Sequence, residues 1–520
     1  MAPPRAAPPR TAVLEVSVGS RRRAGISACL TLAGSVLGAC AVGPNFKPPA
    51  APKDTGFLPA DHALPETTAS APVAGGEAQR FLSAQDIPGQ WWTLFQSPEL
   101  NGLIAQALKH NPTLEAAQAA LKQANENLAA QRGALLPSVT GTYQAQRAAA
   151  SLAAYGLPGS GQYLYSLNSA GVNVAYTLDV FGGIRRQVEA LQAQADYERS
   201  SLEASYLALT ANVVTATITE ASLRAQVAAT EEVARAQRAQ LGITERQVTA
   251  GGASRVDVLQ QQATLQVTLA TLPALRTQLA QERALLATYV GELPAGYAGA
   301  SFQLDALHLP QDLPVSVPSR LVEQRPDVRE YSALLHEATA QVGVATANML
   351  PQLSLTGSYG ATSVKFADLF SPASAVWSIA GGVTQPLFEG GQLLHQRRAA
   401  VAAAQQAAAN YRATVLTAFQ NVADTLLALE GDADALAAQT SAERTAAESL
   451  QLVQAQYKAG GANYLQVLTA EQAYQNALLA LVKARAQRFI DTAALFQALG
   501  GGWWNRSDTA TPVTAAEGIS

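Results

Sequence analysis

The stretch that decides the fold is VNVAYTLDVFGG, residues Val172–Gly183, together with the residues that follow it up to Ala250. Apolar side chains occupy alternate positions from Val172 to Val180, and this alternation predicts a β-strand with one apolar face. Phe181-Gly182-Gly183 then ends the alternation. From Ile184 to Ala250 there is no proline and one glycine, so the pattern predicts a helix roughly 100 Å long at about 1.5 Å per residue.

The strand and the long helix occur twice in the chain. Pro112 and Pro137 recur 214 residues later as Pro326 and Pro351. The Phe-Gly-Gly break recurs at 388–391 with one inserted residue, and the Ala-Gly-Gly-Ala sequence of 250–253 recurs at 459–462. The chain therefore contains two copies of one unit: a short helix, a pair of strands, a very long helix, a tight turn and a shorter helix.

The shorter helices after the Gly-Gly turns have apolar residues at a spacing of seven, which is typical of coiled-coil seams. The first series is Val258, Leu265, Leu272, Leu279 and Leu286. The second series is weaker because Arg488 interrupts it. The predicted fold class is mainly α-helical with membrane β-strands. The expected segments are a signal peptide, a Pro-rich tether, a first repeat, a linker, a second repeat and a loose tail, at 1–39, 40–90, 91–300, 301–318, 319–500 and 501–520.

Composition excludes several classes of function. The net charge is −4 and charged residues make up 14% of the chain, so the basic face that nucleic acid requires is not expected. The five histidines have no metal-ligand spacing, and no nucleophile elbow, phosphate loop or paired-carboxylate motif is present. We therefore expect neither an enzyme nor a cofactor.

The N-terminus has the pattern of a secretory signal. Arg21-Arg22-Arg23 precedes an apolar run that ends in Leu37-Gly38-Ala39-Cys40. This ending resembles that of bacterial lipoprotein signals, which implies that Cys40 becomes the acylated first residue of the mature chain. The alternative for Cys40 is an ordinary signal with an incidental cysteine. Separately, the Pro- and Ala-rich residues before the arginines are unusual for a signal, which leaves open a true start downstream of Met1. Residues 41 to about 80 are expected to form an extended tether with little order.

Four strands of 9 to 12 residues are predicted, which is long enough for a tilted strand to cross a bilayer. Four strands cannot close a barrel, and an open sheet edge in lipid leaves backbone N–H and C=O groups unpaired at several kcal/mol each. The strands must therefore pair with strands of other chains. At least two chains are needed, because the smallest membrane barrels have about eight strands; the sequence does not fix the number.

These features together resemble the lipoprotein branch of the TolC-like outer-membrane efflux proteins. The likeness rests on the tether sequence CAVGPNFKPP from Cys40, on Trp91-Trp92, and on the duplicated Leu-Pro, Phe-Gly-Gly and Gly-Gly motifs. The family implies a homotrimer with a twelve-stranded barrel in the outer membrane and a twelve-helix tunnel in the periplasm. It also implies an exit duct for small molecules, docked to a periplasmic adaptor and to an inner-membrane transporter, often of the RND type.

The Gly-Gly turns would form the periplasmic tips, and the family implies that they meet the adaptor: Gly251, Gly252, Gly460 and Gly461. Turn formation alone is the simpler explanation. The resemblance also points to a periplasmic gate at Tyr457, Leu465 and Thr469. Gln466 and Thr469 stand where relatives carry an acid, and Asp257 occupies the corresponding place in the first copy. We expect an apolar constriction with weak cation selectivity; otherwise Tyr457 and Leu465 pack between helices.

Two arginine pairs follow the strands at the same place in both copies: Arg185-Arg186 and Arg397-Arg398. They either meet lipid head groups at the rim of the barrel or are ordinary solvated helix positions.

Three other functions compete with the efflux duct. A protein-secretion outlet shares the fold. A periplasmic adaptor has one helical hairpin instead of two full copies. A structural coiled coil needs no membrane strands, and the four alternating segments argue against it.

Overall fold

The computed structural model describes residues 41–52, 56–59, 61–83, 85–151 and 162–506. The predicted signal peptide, Cys40 and the tail after Arg506 therefore lie outside the described residues. Within these ranges the chain forms eight α-helices and six strands. In chain order they are β1 (Arg80–Ser83), α1 (Pro98–His110), α2 (Pro112–Gly133), β2 (Ser138–Ser151), β3 (Gln162–Leu178), α3 (Gly183–Thr249), α4 (Arg255–Tyr289), β4 (Asp312–Val315), α5 (Pro318–Gln324), α6 (Pro326–Ala347), β5 (Gln352–Ser363), β6 (Ala375–Thr384), α7 (Gln392–Lys458) and α8 (Tyr464–Ala498).

The two copies match closely in their helices. α3 and α7 each have 67 residues, and α4 and α8 each have 35. The predicted bounds of α3 differ from the observed ones by one residue at each end. The sequence predicts that the helix beginning at Pro112 continues to Leu136, where Pro137 stops it. α2 ends at Gly133 instead, because the amides of residues 134–136 bond three residues back and tighten the last turn. α4 continues through Pro273. No helix among the described residues combines the length and the apolar character that crossing a membrane requires.

The contacts divide the chain into two units, and the first contains the four long strands. Of the described residues it comprises 41–45, 129–151, 162–190 and 339–402. The strands form one antiparallel sheet in the order β2-β3-β5-β6, so β2 and β6 are its edges. β2 and β3 have 14 and 17 residues, which is longer than predicted. The sequence predicts a loop from about Ala149 to Leu167, and this is wrong at both ends, because backbone pairing continues to Ser151 and begins again at Gln162.

The sheet has one apolar and one polar face. The apolar face is exposed along its length, at Val139, Tyr143, Val172, Val174, Tyr359, Trp377, Ile379 and Val383. The register places hydroxyl and amide side chains on the opposite face, at Thr140, Thr142, Asn173, Ser354, Thr356, Ser358 and Ser378. At one end of this face the ring of Phe366 packs on Tyr143, with ring centroids 6.3 Å apart, and the residues named above remain exposed.

Arg186 corrects the interpretation of the arginine pairs in this unit. Only 3% of its surface is exposed, and its guanidinium bonds the carbonyl of Val42 at 3.1 Å, Oδ1 of Asn45 at 2.7 Å and Oε2 of Glu189 at 2.7 Å. Arg185 pairs with Asp179. Arg186 therefore neither contacts lipid nor lies in solvent. It holds residues 42–45 against the start of α3. Arg397 and Arg398 are exposed.

The second unit comprises the described residues within 46–128, 191–338 and 403–506. Its core is built on buried aromatic side chains of the 91–95 turn and of α8, where the rings of Trp91 and Phe496 stack at 5.3 Å. The predicted linker contributes buried Phe302, Leu304 and Leu313 to this core. The end of the described chain is also packed, since Trp503 donates to the carbonyl of Gln324 at 2.6 Å.

The expected loose tether is wrong for residues 66–83. β1 pairs in parallel with β4, with Arg80 opposite Asp312. Arg488 is fully buried, and it donates to Oγ1 of Thr68 at 2.9 Å and to the carbonyl of Glu77 at 2.6 Å. The residue that interrupts the second seven-residue series therefore satisfies the backbone of this segment, which is why a polar, Pro-containing stretch is ordered.

Candidate functional site

The two Gly-Gly turns of the second unit have the same geometry. The amides of Gly252 and Gly461 each bond a carbonyl five residues back at 2.8 Å, and those of Gly251 and Gly460 bond one three residues back at 3.0 Å. Gly251 and Gly460 have φ of +78° and +77°. This is the Schellman ending of a helix, in which the residue with positive φ favours glycine. We call residues 250–253 and 459–462 the tip turns.

Each tip turn leads into a helix with a capping box. Oδ2 of Asp257 accepts from the amide of Ser254 at 2.8 Å, and Oε1 of Gln466 accepts from the amide of Asn463 at 2.9 Å. In return, Ser254 and Asn463 accept from the amides of Asp257 and Gln466. Two of the predicted gate residues therefore have a local role at the start of α4 and α8, which is sufficient to explain their presence.

The other predicted gate residues separate into two groups. Leu465 is 62% exposed, and Thr469 lies one turn further on the same uncharged face. Tyr457 is packed instead, because its hydroxyl donates to Oε1 of Gln247 at 3.3 Å and its ring lies 5.4 Å from that of Tyr464. Within one chain, Leu465 is available to line a passage, whereas Tyr457 links α7 to α3.

A buried polar network lies beside the tip turns and was not predicted. Tyr464 donates its hydroxyl hydrogen to Oε1 of Gln261, and Gln261 donates to the carbonyl of Gln237 at 3.1 Å. One heptad further, Thr268 donates to Oε1 of Gln475 at 3.3 Å. The signal was present in the sequence: Gln261 and Thr268 follow Val258 and Leu265 by three residues each, at the second core position of the heptad, where an apolar residue is usual.

Glu471 is the carboxyl group of this network. It is 6% exposed, Gln261 and Gln454 hydrogen-bond it, and its Oε2 is buried without a hydrogen-bond partner. Burial raises its pKa, while the two amide hydrogen bonds act in the opposite direction. In the part of the chain that the structure describes, no three His, Cys, Asp or Glu side chains form a group that could hold a metal ion.

Known proteins with related sequences match the duplicated architecture. The family model described as "Outer membrane efflux protein" matches residues 103–292 and 317–501, which correspond to the two copies. The pyoverdine export outer membrane protein OpmQ of Pseudomonas aeruginosa is 30% identical over 498 residues, covering 92% of this chain and 96% of that protein. The probable efflux pump outer membrane protein TtgC of Pseudomonas putida is 29% identical over 493 residues, covering 94% and 98%.

A solved structure agrees in fold. The outer-membrane channel OprN superposes with a TM-score of 0.80 at 26% identity, covering 89% of this chain and all of that one. The predicted fold class, a duplicated unit of the kind that builds a twelve-stranded barrel and a twelve-helix tunnel in a trimer, is confirmed. The resemblance drawn from the motifs is confirmed as well. The chain belongs to the outer membrane efflux protein family and is an outer-membrane efflux channel.

Proposed function

We propose that three copies of this chain form the passive exit duct of a tripartite pump for small molecules. The observation that carries the proposal is the sheet, whose edge strands β2 and β6 have no partner within the described chain. Its exposed apolar face fits lipid, and backbone groups at an edge in lipid require pairing. Joining β2 of one copy to β6 of the next closes the sheet and leaves the hydroxyl-rich face inside.

The mature N-terminus is proposed to carry the lipid on Cys40. Two contacts of the residues that follow it support this. The amide of Val42 donates to the carbonyl of Phe181 at 3.0 Å, and Ala41 packs so closely on Gly182 that a Cβ there would lie 2.6 Å from its Cα. Both contacts lie between β3 and α3, so a lipid on the preceding residue would enter the membrane at the end of the sheet.

The tip turns are proposed to dock a periplasmic adaptor, which connects the duct to an inner-membrane transporter. Their equal geometry supports this, because one adaptor surface fits both turns. Leu465 is proposed to narrow the passage, since it is the large apolar side chain that the tip leaves exposed on α8.

The test uses the full-length protein extracted from the outer membrane. We expect a trimer by light scattering, acyl chains on Cys40 by mass spectrometry, and pores of low open probability in planar lipid. Leu465→Ser should raise the open probability, whereas Leu452→Ser, a matched exposed leucine on α7, should not. A monomer without conductance would contradict the duct, and an unchanged Leu465→Ser channel would contradict the gate.

A further inference from the structure

Glu471 lies where the four helices of the tip come together. On α8 it is followed one turn later by Gln475, which bonds Thr268 of α4. Gln261 of α4 and Gln454 of α7 hydrogen-bond the Glu471 carboxyl group. Through Gln261 the network reaches the backbone of Gln237 on α3. A change at this one side chain therefore acts on the packing of all four helices.

The surroundings of Glu471 are polar but carry no compensating positive charge among its described partners. Gln237 is 1% exposed, and neither of its side-chain polar atoms has a hydrogen-bond partner. The titratable groups that couple to the network are Tyr464 on α8, Tyr457 on α7 and Asp257 on α4. α3 presents the amides of Gln237 and Gln247 and the hydroxyl of Thr244. A carboxylate buried here meets the amides of Gln261 and Gln454 and interacts with Tyr464, whereas Asp257 acts on the two tyrosines.

We propose that Glu471 is a proton-operated latch, in which the uncharged side chain allows α4 and α8 to pack beside the tip turns and the ionised side chain favours their separation. The latch rests on the proposed duct, whose tip must open to admit cargo. When the helices separate, water solvates the ionised carboxylate. Its Oε2, which is buried without a hydrogen-bond partner in the packed arrangement, then accepts hydrogen bonds from water.

The direction of the pH effect follows from the direction of the pKa shift. Burial raises the pKa of Glu471 in the packed arrangement above its ordinary value of 4.5, to which it returns when exposed. The packed arrangement thus holds the proton more tightly. Its stabilisation is complete below the ordinary pKa and is lost as pH rises through the raised pKa. The tip is held most firmly in acid and loosens as pH rises through the raised pKa of Glu471.

The experiment measures open probability in planar lipid from pH 4.5 to 8.5 for three full-length proteins. In the wild type we expect a rise of about tenfold, because the packed and the separated arrangements hold the proton with different affinities. Glu471→Gln keeps the shape and the hydrogen bonds of the protonated acid, so its open probability should stay low and change less than about twofold. Glu245→Gln, which removes an exposed carboxylate of α3, should keep the wild-type response.

Hydrogen exchange of residues 464–475 provides a second measurement that does not depend on conductance. Protection should fall with pH in the wild type and remain constant in Glu471→Gln. A conducting wild type without pH dependence, or a Glu471→Gln protein that keeps it, would overturn the latch and leave the duct intact. A wild type that forms no pore at any pH would instead overturn the proposed function.

Discussion

Arg186 and Arg488 each stabilise a segment of the N-terminal region, although the residues next to them in the sequence do not indicate this role. Each guanidinium is buried and binds backbone carbonyls of the N-terminal segment, Arg186 at Val42 and Arg488 at Glu77. Five donors on a planar group suit this task, because one side chain satisfies several acceptors at once. In the sequence, Arg186 resembles a solvated helix residue and Arg488 a defect in a heptad.

Glu330 of α6 leads to a prediction at the scale of one residue. Burial, followed by the neighbouring Asp327 and Glu198, raises the pKa of Glu330 to about 7 from an ordinary 4.5. The stabilisation from its neutral form is therefore complete below pH 4.5 and is lost as pH rises through about 7. Glu330→Gln should flatten the fall in Tm between pH 5 and 8, measured by circular dichroism. Glu323→Gln, at an exposed position of α5, should retain the wild-type slope.

Buried titratable groups such as Glu330 and Glu471 were beyond prediction for a physical reason. Their properties depend on which helix faces them, and the sequence of a duplicated chain does not specify how its long helices are paired. The glycines of the tip turns could be identified because the ending of a helix is a local feature of the sequence. Asp257 and Gln466 were assigned to a gate by position, although their capping role could also have been inferred from the three-residue spacing to Ser254 and Asn463.

At the scale of elements, the tip turns provide a test with an internal control. Gly251 has a positive φ, and a Cβ added at this position would meet no atom within 4 Å, so Gly251→Ala introduces backbone strain alone. We expect a loss of about 1–2 kcal/mol in the free energy of unfolding. Gly252 does not have a positive φ, and a Cβ added there would lie 3.6 Å from the carbonyl oxygen of Gln247, which is an ordinary contact. Gly252→Ala should therefore change the free energy of unfolding by less than about 0.5 kcal/mol. Urea denaturation distinguishes the two.

The same pair of substitutions can be made at Gly460 and Gly461 in the second copy. Their φ and contacts match those of the first copy, so Gly460→Ala should lose about 1–2 kcal/mol and Gly461→Ala should be nearly neutral. Equal effects of Gly251→Ala and Gly252→Ala would show that the strain of positive φ does not control these turns.

Helix lengths could be predicted to within a few residues, whereas strand lengths could not. A helix without proline continues until a residue such as Gly251 or Gly460 can leave it, and this residue is visible in the sequence. A strand ends where pairing ends, and pairing of Ser151 with Gln162 is decided by the partner strand. The linker between the copies was misjudged for the same reason, because its leucines reach a core formed by distant helices.

At the scale of the whole molecule, a lysine should have opposite effects at two adjacent residues of β6 that lie on opposite faces of the sheet. Ile379 lies on the exposed apolar face of β6, and Ser378 lies on the opposite face, where its hydroxyl bonds that of Ser358 at 2.8 Å. Ile379→Lys should cost about 2–4 kcal/mol near the middle of a bilayer. It should reduce the amount of folded protein in outer-membrane fractions.

Ser378→Lys is the control for this substitution, because it places the same charge on the hydroxyl-rich face. We expect normal membrane assembly and a shift of ion selectivity toward anions in planar lipid. Equal loss of assembly in both variants would contradict the assignment of the apolar face to lipid.

The pairing of β1 with β4 has a consequence for the order of folding. Arg80 meets Asp312 across 232 residues, and Gln79 meets Arg488 across 409. The chain ends of such contacts come together only after long loop closure, which slows folding. The segment around Gln79 and Arg80 is therefore synthesised early but packs late, because its partner Arg488 lies near the end of the second copy.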